Sequence, residues 1–521
     1  MVTTIHSAQL IGLSAELVSV EVDITRGSHS FLIVGLPDKA VEEAKDRISA
    51  AIRNTGYSAP HQGSRRIIAS LAPAELKKAG AHFDLAITLG YLLAARHIQF
   101  KPDHRIFFGE LGLDGSICPV KGVLLLTQKA KEAGFKEVYI PEPNLREAAL
   151  VGGISVFGVK NLATLISHLT AGISSGNNPD LPKISLIEAP KTKITSRSGS
   201  NPELDFAEIS GQNTVKRGLE IAAAGGHHVA MIGPPGAGKT MLARAFTGIL
   251  PELKEQEIIE VTSIHSIASQ LTDQKINSVA PFRSPHHTAS YAAMIGGGLW
   301  PKPGEVSLAH RGVLFLDEFP EFDKKVIESL RQPLEDKIVQ ISGAKANLSF
   351  PAHFTLLAAM NPCPCGNWKS QKECSCSIAT VIRYQKKISG PIMDRLDLWL
   401  EVPAVPIKAL SERKKGQESS AMIKKRVAKA RNIQNQRFSG FPKVLVNGEM
   451  SVKQINELIP LSNSVKTILT QAATRMTLSA RAYHRSIKLA QTIADLDQSP
   501  EIKEKHILEA LQYRPRDILE R

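Results

Sequence analysis

Residues 233–240 read Gly-Pro-Pro-Gly-Ala-Gly-Lys-Thr, and this octapeptide narrows the folds open to the chain more than any other stretch. It fits G-x-x-x-x-G-K-[ST], a phosphate-binding pattern that works only between a β-strand and the first turn of a helix. The flanks supply both. Residues 228–232 (His-Val-Ala-Met-Ile) read as a buried strand, and 241–246 (Met-Leu-Ala-Arg-Ala-Phe) read as a helix. Gly233, Gly236 and Gly238, with Pro234, Pro235 and Ala237 between them, let the backbone curl so that its N–H groups face a β-phosphate. The helix N-terminus adds partial positive charge there. In that arrangement Lys239 neutralises the β- and γ-phosphate oxygens and Thr240 ligates Mg²⁺, so ATP and Mg²⁺ are expected.

A chain of 521 residues is too long for one core, and about three domains are expected. Residues 1–170 mix short β-like runs with helical patterns. Residues 171–203 are rich in Ser, Pro, Asn, Gly and Lys and read as a linker. Residues 204–405 alternate strands and helices around the glycine-rich turn, the pattern of a parallel sheet covered by helices. Residues 406–521 are helical and strongly basic, with a run of charge at 412–416. There is no stretch of about 18 apolar residues, so no membrane span is expected. The N-terminal residues lack a basic start followed by an apolar core, so no signal peptide is expected. Five cysteines are too few for a disulfide framework, which points to the cytoplasm. The net charge of +14 suits a polyanion such as nucleic acid.

Residues 313–318 (Val-Leu-Phe-Leu-Asp-Glu) form an apolar strand ending in two acids, the Walker B pattern. Asp317 is expected to hold Mg²⁺, directly or through water, and Glu318 to orient and polarise the attacking water. Around these stand Pro-Phe-Arg-Ser-Pro-His-His-Thr-Ala-Ser (281–290), Ile-Gly-Gly-Gly (295–298), Pro-Gly-Glu-Val-Ser-Leu-Ala-His-Arg-Gly (303–312) and Ala-Met-Asn-Pro-Cys-Pro-Cys-Gly (359–366). Together they resemble the magnesium-chelatase-like AAA+ proteins and, within them, the ComM/YifB group, over nearly the whole chain. The resemblance implies an AAA+ P-loop ATPase core of parallel sheet with a helical C-terminal lid. It also implies a preceding α+β domain of the Lon-protease-like (ribosomal S5 domain 2-like) fold.

Further site residues follow from that resemblance. Asn361 ends the strand 354–360 at the sensor 1 place, where a polar group helps place the water. Arg395 stands where related ATPases offer an arginine finger to the neighbouring subunit, and a guanidinium in trans stabilises charge on the transferring phosphoryl group. A surface ion pair with Asp394 or Asp397 is the other reading of Arg395. Arg481 fits the sensor 2 position on a helix, with Arg485 one turn on. A finger in trans requires a homo-oligomer, and the resemblance implies a ring, most often a hexamer.

Two inserts bear on nucleic acid. Residues 262–304 occupy the place of a helix 2 insert. Residues 335–353 read as two strands around a turn, the place of a hairpin that points into the ring pore in helicases of this clade. Lys337 at its start and Lys345 near its tip are the candidate phosphate contacts. A surface hairpin or subunit contact is the bland reading of either insert.

The N-terminal block resembles the Lon fold at 72–90 and 109–144, yet the Lon dyad of Ser nucleophile and Lys base is missing. The nucleophile region reads Lys-Ala-Gly-Ala-His-Phe-Asp (78–84), and the base region carries leucines beside Lys121. No peptidase activity is expected, and His82 reads as a packing or surface residue. Cys363, Cys365, Cys374 and Cys376 crowd one short loop and suit a structural Zn²⁺ site, with free thiols the alternative. The resemblance implies an ATP-driven, ring-shaped DNA helicase that promotes branch migration as incoming DNA is integrated in natural transformation. The alternative is the AAA+ motor subunit of a chelatase-like complex that remodels a protein partner.

Overall fold

The strand Val229–Ile232 that feeds the glycine-rich turn lies inside a five-stranded sheet. The sheet order is Phe282–Arg283, Val313–Leu316, Thr355–Met360, Val229–Ile232, Leu398–Glu401. Every pairing in it is parallel. Its strands are apolar without alternation: Val313, Leu314, Phe315 and Leu316 are all buried. That is the mark of a sheet covered on both faces. The structure, a computed structural model, describes residues 2–62, 64–171, 185–192, 204–268, 276, 278–298, 301–342, 347–368, 372–404 and 417–515. Lys345, the basic run 412–416 and most of 171–203 lie outside the described residues. No described helix is long and apolar enough to cross a membrane.

The chain divides into two compact units. One comprises Ser196–Lys254 and Ser278–Arg521, the other Met1–Thr195 and Glu255–Asn277. In the former, the helices Ser420–Arg437 and Ala480–Leu496 share one core with the parallel sheet. Val427, Ala430, Ile487 and Ile493 pack in the same cluster as Val229 and Leu398. The lid expected at 406–521 therefore belongs to the same compact unit as the sheet.

The other unit is built on a seven-stranded mixed sheet. Its order is Ser30–Val34, Arg65–Ala72, Ser14–Arg26, Thr3–Ile11, Arg105–Phe107, Glu137–Pro141, Ser155–Val159. Along Ser14–Arg26 the buried residues Val18, Val20 and Val22 share one face and one core cluster, while Ala15, of opposite parity, is buried on the other face with Ala8, because alternate side chains point to opposite sides. The helix Asp84–Ala94 lies in this core, and Asp84 at its first turn pairs with Arg47 at 2.8 Å. Burial pushes the Asp84 carboxyl up to about 6 against the pull of that guanidinium. Where a Lon protease would hold its nucleophile, the groups are packed. His82 is buried with Nε2 2.9 Å from the Ala8 carbonyl, and the Lys78 amine donates to the Pro73 carbonyl. Lys121 is exposed.

The helix Glu255–Ile267 departs from the expected layout. It follows the P-loop helix Lys239–Phe246 in the chain, and residues 262–304 read as one insert of the ATPase domain, yet this helix belongs to the N-terminal unit. It packs on the helix Val123–Glu132. Ile258, Val261 and Ile264 recur at helical spacing and are buried, each worth about 1.5–3 kcal/mol of burial. Ser266 Oγ donates to Glu147 Oε1 at 2.6 Å and accepts from the Gly122 N–H at 2.8 Å. The Leu124 N–H also reaches Glu147 Oε1, at 3.1 Å. These N–H groups belong to the first turn of Val123–Glu132 and its cap, where the helix itself offers them no acceptor. Burial raises the Glu147 pKa, and the Ser266 hydroxyl and the Leu124 N–H oppose that rise.

Candidate nucleotide site

The glycine-rich turn leaves the carboxyl end of Val229–Ile232, the end at which open parallel sheets hold their ligands. Gly238 has φ +90, a conformation that costs any residue with a Cβ, and it starts the helix Lys239–Phe246. Lys239 is buried. Its Nζ donates to the Gly233 and Pro234 carbonyls at 2.6 and 3.0 Å and to Asn361 Oδ1 at 3.1 Å. Burial lowers its pKa, while Asp317 and Glu318 nearby favour the charged form. The amine thus rests on carbonyl oxygens at the place where phosphate oxygens would replace them. Asn361 comes there because it directly follows the strand Thr355–Met360, the neighbour of the P-loop strand.

Thr240 Oγ1 donates to Asp317 Oδ2 at 2.8 Å, and Asp317 Oδ1 accepts the Glu318 N–H at 3.0 Å. A hydroxyl and a carboxylate side by side are hard oxygen donors, the set that Mg²⁺ prefers. Glu318 has φ +52 and is 54% exposed. A left-handed glutamate costs about 1–3 kcal/mol, and such strain gathers at functional sites. Its Oε2 stands 3.3 Å from His287 Nδ1. The 281–290 motif by itself gives His287 no role. A histidine between His286 and Thr288 carries no signal of its own, and the pairing becomes visible only once Phe282–Arg283 lies next to Val313–Leu316.

The arginines separate. Arg395 is 13% exposed and pairs with Glu335, while its Nη1 donates to the Pro391 carbonyl at 2.6 Å. The partner expected at the surface, Asp394 or Asp397, is thus replaced by Glu335. Asp397, 12% exposed at its side chain, is turned elsewhere: 3.5 Å from His227 Nδ1 and 3.6 Å from Arg485 Nε. Burial alone would raise its pKa, but His227, Arg485 and His228 hold it well below the carboxylate range. On the helix Ala480–Leu496 the residue that meets the loop after Arg395 is Arg485, whose Nη1 also reaches the Leu396 carbonyl at 3.5 Å. Arg481 is exposed at the start of that helix, and the structure does not bring it to the other site residues.

The hairpin forms as two antiparallel strands, Ile338–Ser342 and Asn347–Pro351, in register from Ile338↔Pro351 to Ser342↔Asn347. Its foot is clamped. Lys337 Nζ lies 2.6 Å from Glu449 Oε1, and His353 Nε2 contacts the same oxygen. Arg311 Nη1 and His353 Nδ1 stand 2.8 Å apart. Glu449 is buried and its pKa is depressed: burial would raise it, and His353 and Lys337 overcome that. Lys337, expected as a phosphate contact, is here engaged with a carboxylate of its own chain. Its charge is matched inside the protein by a carboxylate that would be left buried and unpaired without it. Lys345, the other candidate, lies outside the described residues.

The cysteines come together. Cys363, Cys365, Cys374 and Cys376 place their sulfurs within 4.8 Å of one another, with separations of 3.4, 3.7 and 3.4 Å among the first three. Tetrahedral Zn²⁺ with Zn–S near 2.3 Å requires sulfurs about 3.8 Å apart, so the residues fit that ion. A hydrogen bond from the Asn367 backbone draws the Cys365 thiol down to about 6. The same loop touches the phosphate-binding turn. A Cβ at Gly366 would come within 2.5 Å of Pro235 Cδ, so only glycine fits there without displacing that ring.

Comparison with known proteins follows the same division of the chain. Residues 205–410 match the family described as magnesium chelatase, subunit ChlI. Residues 20–144 match subunit ChlI of Mg-chelatase, and 417–514 match the C-terminal part of that subunit. The chain is 40% identical over 519 residues to competence protein ComM of Haemophilus influenzae, covering 98% of this chain and 97% of that protein. It is 38% identical over 517 residues to the uncharacterized protein YifB of Escherichia coli, covering 99% and 97%. It is 39% identical over 520 residues to the uncharacterized protein Rv2897c of Mycobacterium tuberculosis, covering 98% and 97%.

Proposed function

The chain belongs to the ComM/YifB family of magnesium-chelatase-like AAA+ proteins, and on that premise we propose that it is an ATP-hydrolysing ring motor that drives branch migration on DNA. The observation that carries the reading is the meeting of Thr240 with Asp317 at 2.8 Å beside Lys239 and Asn361. ATP binds with its β- and γ-phosphates against the backbone N–H groups of 236–240 and the Lys239 amine. Thr240 and Asp317 would hold Mg²⁺, which would supply positive charge against the phosphates. Glu318 takes a proton from the attacking water, and Asn361 helps to orient that water. Arg395 of a neighbouring copy supports the transferring phosphoryl group, which makes the active form an oligomer, with a hexameric ring the family expectation. The competence protein among the relatives and the net charge of +14 favour DNA as the polymer moved. The hairpin 338–351 is the element to meet it, in the cytoplasm, during uptake and integration of foreign DNA.

The test is movement of a synthetic four-way or D-loop junction with ATP, together with ATP hydrolysis measured with and without single-stranded DNA. Junction movement and DNA-stimulated hydrolysis, both lost in Lys239→Ala, are the expected results. Hydrolysis indifferent to DNA, with no junction movement, favours instead a chelatase-type motor that remodels a protein, the reading that the ChlI family matches favour.

The cysteine loop is proposed as a structural zinc site that braces the turn at Pro235. Protein purified without chelator should carry one zinc per chain by elemental analysis, and Cys374→Ser with Cys376→Ser should lose it. Because Gly366 rests against Pro235, loss of the metal should also weaken nucleotide binding, read as a rise in Kd for a fluorescent ATP analogue. Metal below one ion per two chains rejects the site.

A further inference from the structure

Both ends of the hairpin 338–351 converge on one carboxylate oxygen, and that oxygen comes from the C-terminal helical part of the chain. Lys337 Nζ lies 2.6 Å from Glu449 Oε1, and His353 Nε2 contacts the same atom. Between them the backbone closes the foot, where the Ala352 N–H donates to the Lys337 carbonyl at 2.7 Å. Arg311, just before the strand Val313–Leu316, holds His353 from the other side. Its backbone N–H donates to the His353 carbonyl at 2.6 Å, and its Nη1 donates to His353 Nδ1 at 2.8 Å. A guanidinium can only donate, so Nδ1 is the acceptor and the ring proton sits on Nε2, facing Glu449. His353 thereby joins the entrance of the strand that ends in Asp317 to a carboxylate beyond the sheet.

Glu449 is itself held. Its side chain is 6% exposed, and its other oxygen, Oε2, accepts the Leu445 N–H at 2.7 Å. It ends the short turn Asn447–Glu449, which is fastened to the helix Ala480–Leu496. Asn447 Nδ2 donates to Asp495 Oδ2 at 2.7 Å and to Thr492 Oγ1 at 3.1 Å, and the Gly448 carbonyl accepts from Lys488 Nζ at 3.1 Å. The hairpin foot therefore reaches that helix through directed contacts at every step. Lys337 has φ +58 and stands where the helix Arg331–Asp336 ends and the strand Ile338–Ser342 begins, the point about which the hairpin can swing. Val339 and Phe350, cross-strand partners, are buried and decide which face of the hairpin turns inward. Apolar contact has no preferred direction. The charged contacts at the foot do, and they set the angle.

We propose that Glu449 is a positioning residue that locks the foot of the hairpin to the helix Ala480–Leu496, so that hairpin and C-terminal helices bear the load of a DNA strand as one body. The proposal rests on the motor reading above, in which the hairpin meets the strand, and adds the link that carries force away from it. Glu449 touches neither DNA nor nucleotide in this scheme; it acts through Lys337 and His353. A direct contact of Lys337 with phosphate gives the opposite sign. Removing the Glu449 charge would then free the amine and strengthen DNA engagement, whereas removing Lys337 would weaken it. The lock requires both changes to weaken it.

The experiment is ATP hydrolysis by the full-length protein, with and without a single-stranded oligonucleotide, together with junction movement per ATP cleaved, for Glu449→Gln and Lys337→Gln. Glu449→Gln keeps the shape of the side chain and an oxygen for the Leu445 N–H. It should leave the DNA-free kcat and the KM for ATP unchanged, and should lower both the DNA stimulation and the movement per ATP several-fold. Lys337→Gln should lower the same two quantities. The double variant should be no worse than either single one, because both remove one contact. Opposite signs for the two variants, unchanged stimulation and movement, or a fall of the DNA-free and DNA-stimulated rates by one common factor overturns the proposal. Hydrogen exchange without DNA gives a separate readout. Amides of 338–342 and 347–351 should exchange several-fold faster in Glu449→Gln, with those of 355–360 unchanged. If the wild type ignores DNA altogether the motor reading fails, and the lock is then judged on exchange alone: faster exchange confined to the hairpin upholds it, and no change rejects it.

Discussion

Glu318→Gln should lower kcat for ATP hydrolysis by about 10²- to 10⁴-fold, the range for loss of a general base, while nucleotide binding stays near wild type. At about 1.4 kcal/mol per decade this is about 3–5 kcal/mol of barrier. The substitution keeps the shape of the side chain and removes only its charge and basicity. It leaves the Thr240–Asp317 contact alone, and the Asp317 acceptance of the residue 318 N–H is a main-chain bond that glutamine also makes. Folding should be indifferent, because the Glu318 side chain is 54% exposed. Lys239→Ala differs in kind. Its amine sits among the Gly233, Pro234 and Asn361 oxygens, so its loss removes the charge that meets the phosphates and abolishes binding together with turnover. A Glu318→Gln protein that traps ATP without cleaving it, beside a Lys239→Ala protein that does neither, separates the proton-transfer role from the binding role. Glu318→Gln turning over within threefold of wild type would assign the base elsewhere.

The parts of this site that a reader of the sequence can find are those whose partners are neighbours in the chain. Strand, turn and helix at 228–246 are contiguous, as are the apolar run 313–316 and the acids that end it, so local pattern and tertiary role coincide. Asn361 and the cysteines belong to the same class, each following a recognisable strand or crowding a short loop. The hairpin at 335–353 is legible for the same reason, since two β-runs around a small-residue turn close on themselves. What escapes has its partner far along the chain. Lys337 reads as a free cation until Glu449 arrives to claim it. Arg481 and Arg485 lie one turn apart on the same helix. Nothing local says which turns inward, and Asp397 decides for Arg485.

The helix Glu255–Ile267 is the largest such case. Its apolar spacing says only that one face is buried. That the face is buried against Val123–Glu132, and held by Ser266 on Glu147, depends on a polar network made with residues more than a hundred positions earlier. A segment read as part of the ATPase domain thereby becomes part of the N-terminal unit's core. Only residues 247–254 separate this helix from the P-loop helix along the chain.

Arg395→Ala should lower ATP hydrolysis by about 10³-fold or more, in the range for removal of an arginine finger, and the loss should be repairable in trans. The guanidinium is held ready on Glu335, a carboxylate 57% exposed at its side chain. An ion pair with so wet a partner contributes at most about 1 kcal/mol, so exchanging Glu335 for a γ-phosphate from the next copy costs little. The Pro391 carbonyl, 2.6 Å from Nη1, keeps the side chain extended from its own loop while that exchange occurs. Arg395→Ala and Lys239→Ala proteins should each be inactive alone. Mixed in equal amounts, they should recover a measurable fraction of wild-type hydrolysis. In a mixed ring, a subunit with an intact P-loop and no finger sits beside one with an intact finger and no P-loop lysine, so the complete site exists only at their boundary. Recovery requires that the residue act across that boundary, and it must vanish when both substitutions are placed in one chain and mixed with a Glu318→Gln partner. A mixture as inactive as its components would place Arg395 in cis, as a structural pair for Glu335, and would remove the main reason for requiring a ring. The two results differ in kind and not only in degree, so the experiment decides the matter even when absolute rates are low.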